Sequence, residues 1–507
     1  MSQPNHPILS PEQLKAAVKP VPTERQISWQ RTECNAFIHY GPNSFTDRAW
    51  GTGEEDPDLF DPSDLNTDQW VKTAAHAEMS IVTITAKHHD GFCLWPSRYT
   101  THSVAHSSWE DGEGDVIRDL AESCSQNGLK LGIYLSPADI REAITDTGRY
   151  GNGSEIREQP IPLPTGREFT DGRQFSYEVD DYNAYFMSQL FELLTEYGPV
   201  YQVWFDGAHP EVTEEADQPY QMRAWFDLIR RLAPDAVISI SGPDVRWVGN
   251  ESGEARDSEW SAIPLPPDAE DVVSADYDLT DPHFPNNALL ENATDFVWYP
   301  AEADTSLRPG WFFHSQKEPQ YDKDGLVDLY YRTVGRNSVL LLNLSPSPEG
   351  VIPTKDVEMV NSLGEHIRST FDTNYTKGAS CNATSIRNGD KSRYGPRHVV
   401  SQDSSTYWMA AEGVLPVRCK LDLPSAKRIN CIRVEEAIVE EGQRIESLEI
   451  EAMVDGAWVN IGQAGTVGYA RILRFDDVLA ESVRLTIKNS RKAPTIQRVG
   501  LYHAHRE

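Results

Sequence analysis

Residues 181–207 read DYNAYFMSQLFELLTEYGPVYQVWFDG. In the first part, Phe186, Leu190, Leu193, Leu194 and Tyr197 recur at helical spacing. After Gly198-Pro199 comes a short apolar run, Val200–Phe205, which ends in a carboxylate, Asp206, and a small residue, Gly207. Helix, break, buried strand, acid: this unit predicts a parallel sheet with chemistry at its strand ends.

The same alternation extends in both directions. Strand-like runs occur at Ala36–Tyr40, Ile81–Ala86, Leu129–Leu135, Ala236–Ile240, Phe296–Tyr299 and Ser338–Leu344, with longer helical stretches between them. An α/β fold, a (β/α)8-like barrel over residues 1–346, accounts for the pattern. A doubly wound open sheet would carry a glycine-rich dinucleotide fingerprint after an early strand, and none is present. The strand ends supply His39-Tyr40, Lys87-His88-His89-Asp90, Tyr134 with Ser136, Asp206 and Asp244. Residues 141–180 and 262–295 read as long insertions that would shape a substrate.

A second acid has a similar setting: Val245-Arg246-Trp247-Val248-Gly249-Asn250-Glu251. Two carboxyl groups facing one cleft are the minimum equipment for breaking a glycosidic bond. One attacks the sugar carbon and the other protonates the leaving oxygen. Asp206 and Glu251 are therefore the candidate pair, with Glu254 and Glu259 as rivals of Glu251. The neighbouring Trp247 is expected to raise the pKa of Glu251 by desolvation. Asn250-Glu251-Ser252 matches a glycosylation sequon, read as unused because a glycan would stand on the site.

Beyond about residue 370 the pattern changes to alternating runs such as Ser447–Val454, the turn Asp455-Gly456 and Ala457–Ile461. Residues 371–507 are expected to be a β-sandwich, with 347–370 as a linker. The net charge of −32 disfavours nucleic acid and anionic membranes as partners and favours a neutral substrate. No 18-residue apolar run spans a membrane. The 13 Trp residues fit sugar-stacking surfaces as well as a core. Six cysteines, three in each half, form no C-x-x-C pair. No basic start followed by an apolar stretch is visible, so a cytoplasmic location is expected, or secretion if the N-terminus is processed. Adjacent His88 and His89 would point to opposite strand faces, and no H-E-x-x-H spacing is present, so no metal and no cofactor are expected. The oligomeric state is not read from the sequence.

The segments FIHYGPNSFTDRAWGTG, AKHHDGFCLWPS, YLSPADI, VWFDGA, GPDVRWVGNESG, WYPAEADTSLRPGWFFH and VGRNSVLLLNLSP resemble glycoside hydrolase family 29, the α-L-fucosidases, in order over residues 37–346. GPDVRWVGNE and the tail resemble the subfamily that cleaves α-1,3/1,4-linked fucose in Lewis-type glycans. The tail is similar to discoidin-like, galactose-binding sandwiches. The resemblance implies a retaining mechanism with Asp206 as nucleophile, Glu251 as acid/base and a fucosylated oligosaccharide or glycoconjugate as substrate. It implies a sugar pocket lined by His39, His88, His89, Tyr134 and Trp204, with Trp50 and Trp311 as further contacts. Arg246 would orient Glu251 or bind a hydroxyl. Relatives have Glu-Trp where this chain has Ala49-Trp50, and Trp-Asp where it has Ala138-Asp139. Glu54 or Glu55 is the expected substitute for the first of these. A glycosidase for another α-linked sugar, or a non-catalytic glycan-binding protein on the same barrel, remains an alternative.

Overall fold

The computed structural model describes residues 9–207 and 218–504. Residues 208–210, which continue the Asp206 segment, and the acidic stretch Glu214–Asp217 lie outside the described residues. Eight parallel strands build the first domain: β1 Cys34–Ile38, β2 Ile81–Lys87, β3 Lys130–Leu135, β4 Val200–Phe205, β5 Val237–Ile240, β6 Arg246–Trp247, β7 Ala301–Ser306 and β8 Val339–Asn343. Their order is β5-β4-β3-β2-β1-β8-β7-β6. A parallel bridge between Ser239 and Val245 joins the edge strands β5 and β6, so the barrel is nearly closed. Every residue of β1, β2 and β8 is buried. Helices cover the outside of such a barrel and side chains fill its inside, so its strands carry no exposed face.

The expected barrel strand at Phe296–Tyr299 is a correction. Asp295–Trp298 pairs antiparallel with Ala262–Leu265 in a separate two-stranded sheet. The barrel strands in this region are β6 and β7. The segment AEADTS of β7 has no apolar run, because Glu302 and Asp304 are buried and hydrogen-bonded rather than exposed. No helix separates β5 from β6; the connection is residues 241–245 alone. Ile240, at the turn, has φ 71°, an uncommon conformation for a β-branched residue.

The Asp181–Glu196 helix forms as predicted, with Asp180 accepting from the Asn183 backbone N–H at its start. Nearly all of its residues are buried, including those opposite the barrel. The 141–180 insertion explains this. It folds into a hairpin of Arg157–Ile161 with Phe175–Val179. Phe169 then meets Phe191, and the Leu163 N–H donates to Ser188 on the helix. Much of this insertion therefore covers a helix. The 347–370 segment, expected as a turn and a helix linking the domains, also packs on the barrel. Most of it is the helix Thr354–Phe371, whose Met359, Val360 and Leu363 enter the barrel core.

The second domain is antiparallel: β9 Ser380–Ala383, β10 Val417–Glu435, β11 Ile445–Val454, β12 Ala457–Ala464, β13 Arg471–Ser490 and β14 Arg498–Tyr502. The main sheet runs β9-β10-β13-β11-β12, with β14 on β10. Asp455 and Gly456 both have positive φ, 49° and 78°, as a tight two-residue hairpin turn requires. The core includes Trp408, Leu421, Ile432, Leu448, Ile450 and Leu485. The fold class is a (β/α)8-like barrel followed by a β-sandwich.

A charged contact ties the two domains. Glu33, just before β1, accepts from Arg433 on β10 at 2.6 Å and from Tyr469 at 3.2 Å. Burial raises the Glu33 pKa, but the Arg433 charge and these hydrogen bonds outweigh it and hold the carboxyl below its ordinary 4.5. A carboxyl lowered in this way stabilises the folded protein above the unfolded pKa. That contribution fades as pH falls through the folded value. Glu33→Gln should therefore cost about 2–4 kcal/mol near neutral pH, less than breaking a fully buried pair, and the deficit should shrink below about pH 4. Calorimetry of both proteins across pH checks this: an unchanged difference at low pH would contradict the assignment.

Candidate active site

The C-terminal ends of β1 to β4, β7 and β8 converge on one cluster. Asp206 follows β4 directly. Its carboxylate accepts from the Tyr134 hydroxyl of β3 at 3.0 Å, and His89 Nε2 lies 3.7 Å from the same oxygen. About a third of the Asp206 side chain remains open to solvent (31%). The Tyr134 and Trp204 rings stack at 5.3 Å, and Phe37 packs beneath both. This apolar floor also includes Leu341 and is met by Ile240 and Trp311.

Three histidines form the wall. β2 ends at Lys87, so His88 and His89 are not bound by strand alternation; their rings lie 4.1 Å apart. His88 stacks on Tyr134 at 5.7 Å, and His39 stands 5.8 Å from His88. The hydrogen bonds set the tautomers. Ser136 Oγ donates to the Ala138 carbonyl at 2.7 Å, so it accepts from His89 Nδ1–H, also at 2.7 Å. Asn343 Oδ1 accepts from His39 Nδ1–H at 2.8 Å, while its amide nitrogen donates to the Trp311 carbonyl at 2.7 Å. Both rings therefore hold a proton on Nδ1. Burial pulls the His39 pKa down to about 3, with the Asn343 hydrogen bond opposing it. Burial also lowers His88 strongly and lowers His89, the latter against the pull of the Asp206 charge. Near neutral pH all three are uncharged imidazoles; the Nε2 atoms of His39 and His89 are acceptors, suited to hydroxyl groups. His88 Nδ1 has no hydrogen-bond partner among the described residues.

Glu251 lies beyond β6 on a tight loop. Asn250 organises it: Oδ1 accepts from Ser252 and Glu254, and Nδ2 donates to the Glu254 carbonyl at 2.9 Å. Burial raises the Glu251 pKa, and the Asp206 charge raises it further; a hydrogen bond from the Trp311 side chain opposes both. Asp206 and Glu251 are thus close enough to sense one another across the cleft. Trp311 stacks on His39 at 5.1 Å. Trp50 is 44% exposed with its ring 4.2 Å from His89, placing it at the rim.

Three sequence expectations meet a different arrangement. Arg246 is fully buried and turned to the outside of the site. Its guanidinium donates to the Tyr299 carbonyl at 3.0 Å and the Trp260 carbonyl at 2.9 Å, and it pairs with Glu259. It fixes the strand that leads to Glu251 and touches no sugar-facing group described above. Glu259 is accordingly a structural partner. Asp244 caps a turn, accepting from the Ile238 N–H at 2.8 Å and pairing with Arg230. Glu55, offered as a stand-in at Ala49, is occupied by its own loop, accepting from Thr52 N at 2.6 Å and Gly53 N at 2.9 Å. Glu54 is exposed, as is Ala49.

Two functional supports escaped the sequence reading. Glu302 accepts from the Trp204 indole at 2.9 Å and from Gln202 at 2.8 Å; Asp304 accepts from the Trp247 indole at 2.7 Å. Burial pushes the Glu302 pKa up to about 7, against those hydrogen bonds, and raises Asp304 strongly. Their only sequence signal is alternation, Glu302 and Asp304 two residues apart on one face of a strand. Lys87 and Asp139 form a fully buried pair at 2.8 Å just behind the histidines. Among the described residues no group of three or more His, Cys, Asp or Glu is arranged to hold a metal ion. No described helix is long and apolar enough to cross a membrane.

Residues 23–370 match the alpha-L-fucosidase family profile. The chain belongs to the alpha-L-fucosidases, a family of glycoside hydrolases. The second domain matches the F5/8 type C domain over residues 380–500. Alpha-L-fucosidase 1 of Arabidopsis thaliana is 37% identical over 489 residues, covering 96% of this chain and 88% of that protein. The crystal structure of SpGH29 superposes with a TM-score of 0.80 at 30% identity, covering 96% of this chain and 99% of the other. A Ruminococcus gnavus GH29 fucosidase in complex with fucose gives 0.78 at 28% identity, covering 96% and 95%.

Within this fucosidase, the Glu302 contact can be tested. Glu302→Gln keeps an oxygen for the Trp204 indole. Glu302→Leu leaves that indole without an acceptor and removes one hydrogen bond from Gln202, which keeps Ser239 and Thr83, and should destabilise the fold by about 2–3 kcal/mol more than Glu302→Gln. Chemical denaturation of the two variants checks this; equal losses would show that the hydrogen bond is not what matters.

Proposed function

We propose that the chain is a retaining exo-α-L-fucosidase acting on α-1,3- or α-1,4-linked fucose in Lewis-type or related oligosaccharides. The observation that carries this reading is the electrostatic coupling of Asp206 and Glu251 across a pocket of neutral, acceptor-bearing histidines. Asp206 attacks the anomeric carbon while Glu251 gives its proton to the leaving oxygen. Asp206 is then an ester and has lost its charge. One of the two causes that raise the Glu251 pKa goes with it. Glu251, now a carboxylate with a lower proton affinity, takes a proton from the incoming water. The water oxygen bonds to the anomeric carbon, the bond to Asp206 breaks, and both carboxyl groups return to their starting states. Neither metal nor cofactor takes part in this scheme. The His39, His88 and His89 imidazoles accept from fucose hydroxyls, and Trp50 and Trp311 flank the sugar.

The linkage preference rests on the resemblance of residues 242–251 to the α-1,3/1,4 subfamily. The exposed Ala49, with Glu55 occupied elsewhere, supports a second reading in which another α-linked sugar is preferred. A panel of aryl glycosides separates the two.

Asp206→Asn should remove nearly all turnover while the chain stays folded. Glu251→Ala should slow natural glycans by about 10²- to 10⁴-fold, aryl fucosides with good leaving groups much less, and azide should trap a fucosyl azide. Near-normal turnover in a folded Asp206→Asn protein would end the assignment. NMR of the first-formed product should show α-fucose; β-fucose would mean inversion.

The pH profile offers a separate check. Glu251 must be protonated for the first step, so kcat/KM falls as pH rises through its pKa. The Trp311 hydrogen bond lowers that pKa, so Trp311→Phe should shift the alkaline limb upward. A downward shift would contradict the role given to Glu251.

A further inference from the structure

The six cysteines are all free thiols, but two of them face one another. Cys381 lies on β9 and Cys419 on β10, with their Sγ atoms 3.1 Å apart. The register pairs Cys381 with Leu421 and Ala383 with Cys419. The two cysteines are therefore diagonal neighbours on one face of the sheet, because side chains alternate with period two. Closing the gap to a covalent bond of about 2.05 Å needs a movement of about 1 Å. β9 is four residues long and pairs on one side with β10, so it has room to make that movement. Exposure is graded to suit the chemistry: Cys381 is partly open to solvent, and Cys419 is 1% exposed.

We propose that Cys381 and Cys419 form an intramolecular disulfide when the protein meets a small-molecule disulfide oxidant. The Cys381 thiol gives up its proton and its sulfur attacks one sulfur of the oxidant. That bond breaks and one thiol leaves, giving a mixed disulfide on Cys381. Cys419 then gives up its proton and attacks the Cys381 sulfur, and the second thiol leaves. In total the two cysteines lose two protons and two electrons, and the oxidant becomes two thiols. The bond closes a loop spanning 38 positions. It staples the first strand of the sandwich, the one that follows the last barrel helix, to the long strand carrying Arg433. Neither sulfur lies in the cleft around Asp206, so turnover should not change.

The test uses the full chain, equilibrated in oxidised or reduced glutathione, quenched by alkylation and digested. Oxidised protein should yield one peptide pair joined through Cys381 and Cys419, two hydrogens lighter than the reduced pair and released by dithiothreitol. The melting temperature should rise by about 5 °C or more on oxidation, with kcat for an aryl fucoside unchanged. Cys381→Ser and Cys419→Ser should each abolish the rise. Complete alkylation of both thiols after oxidation, a glutathione adduct on Cys381 with no cross-link, or the same rise in both variants would overturn the proposal.

Discussion

Carboxyl groups inside a barrel must find donors, and this requirement organises the centre of the molecule. Glu302 and Asp304 project inward from β7 with almost no solvent contact. The indole N–H groups of Trp204 and Trp247 and the Gln202 amide meet them. An unpaired carboxyl at this depth would be costly, so these indoles have little freedom to turn. Trp204 precedes Asp206 by two residues, and Trp247 precedes Glu251 by four. One polar strand thus anchors the approach to both proposed catalytic acids, Asp206 and Glu251.

The sandwich braces the same region from outside. Gln443 accepts from the Ser261 N–H at 2.7 Å and donates to the Glu259 carbonyl at 3.1 Å, while Arg471 donates to the Asp257 carbonyl at 2.7 Å. Residues 257–261 are therefore held by the second domain, and Glu259 in turn holds Arg246 at the base of the Glu251 loop. The distance of the sandwich from the chemistry does not make it irrelevant to the geometry of the acid.

Much of this was legible from residues alone, and the failures have a common cause. The helix and strand around Asp206 announced themselves because one side of the helix and all of the strand except Gln202 are apolar or aromatic. The second domain did so through its alternating runs and its Asp455-Gly456 turn. β7 was missed and Phe296–Tyr299 preferred because apolar content signals burial only where polar groups are left to water. In AEADTS the polar groups are buried and paired, so the signal inverts. Arg246 came from the family resemblance, as an orienter of Glu251 or a hydroxyl ligand. Strand alternation and its partner Glu259 turn it the other way, and no local pattern shows a partner 13 residues on. The histidines were found, but the tautomers of His89 and His39 depend on Ser136, just past β3, and on Asn343 in β8.

The loop that carries Glu251 is folded around the side chain of Asn250, whose amide nitrogen donates to the Glu254 carbonyl. That nitrogen is also the atom to which a glycosylating enzyme attaches its sugar when it meets Asn-Glu-Ser. Attachment would leave the amide one hydrogen and plant a branched oligosaccharide beside Glu251, the proposed proton donor. The choice of expression host is therefore a chemical variable for this protein. Passage through a glycosylating secretory route would fit it with a covalent plug of its own.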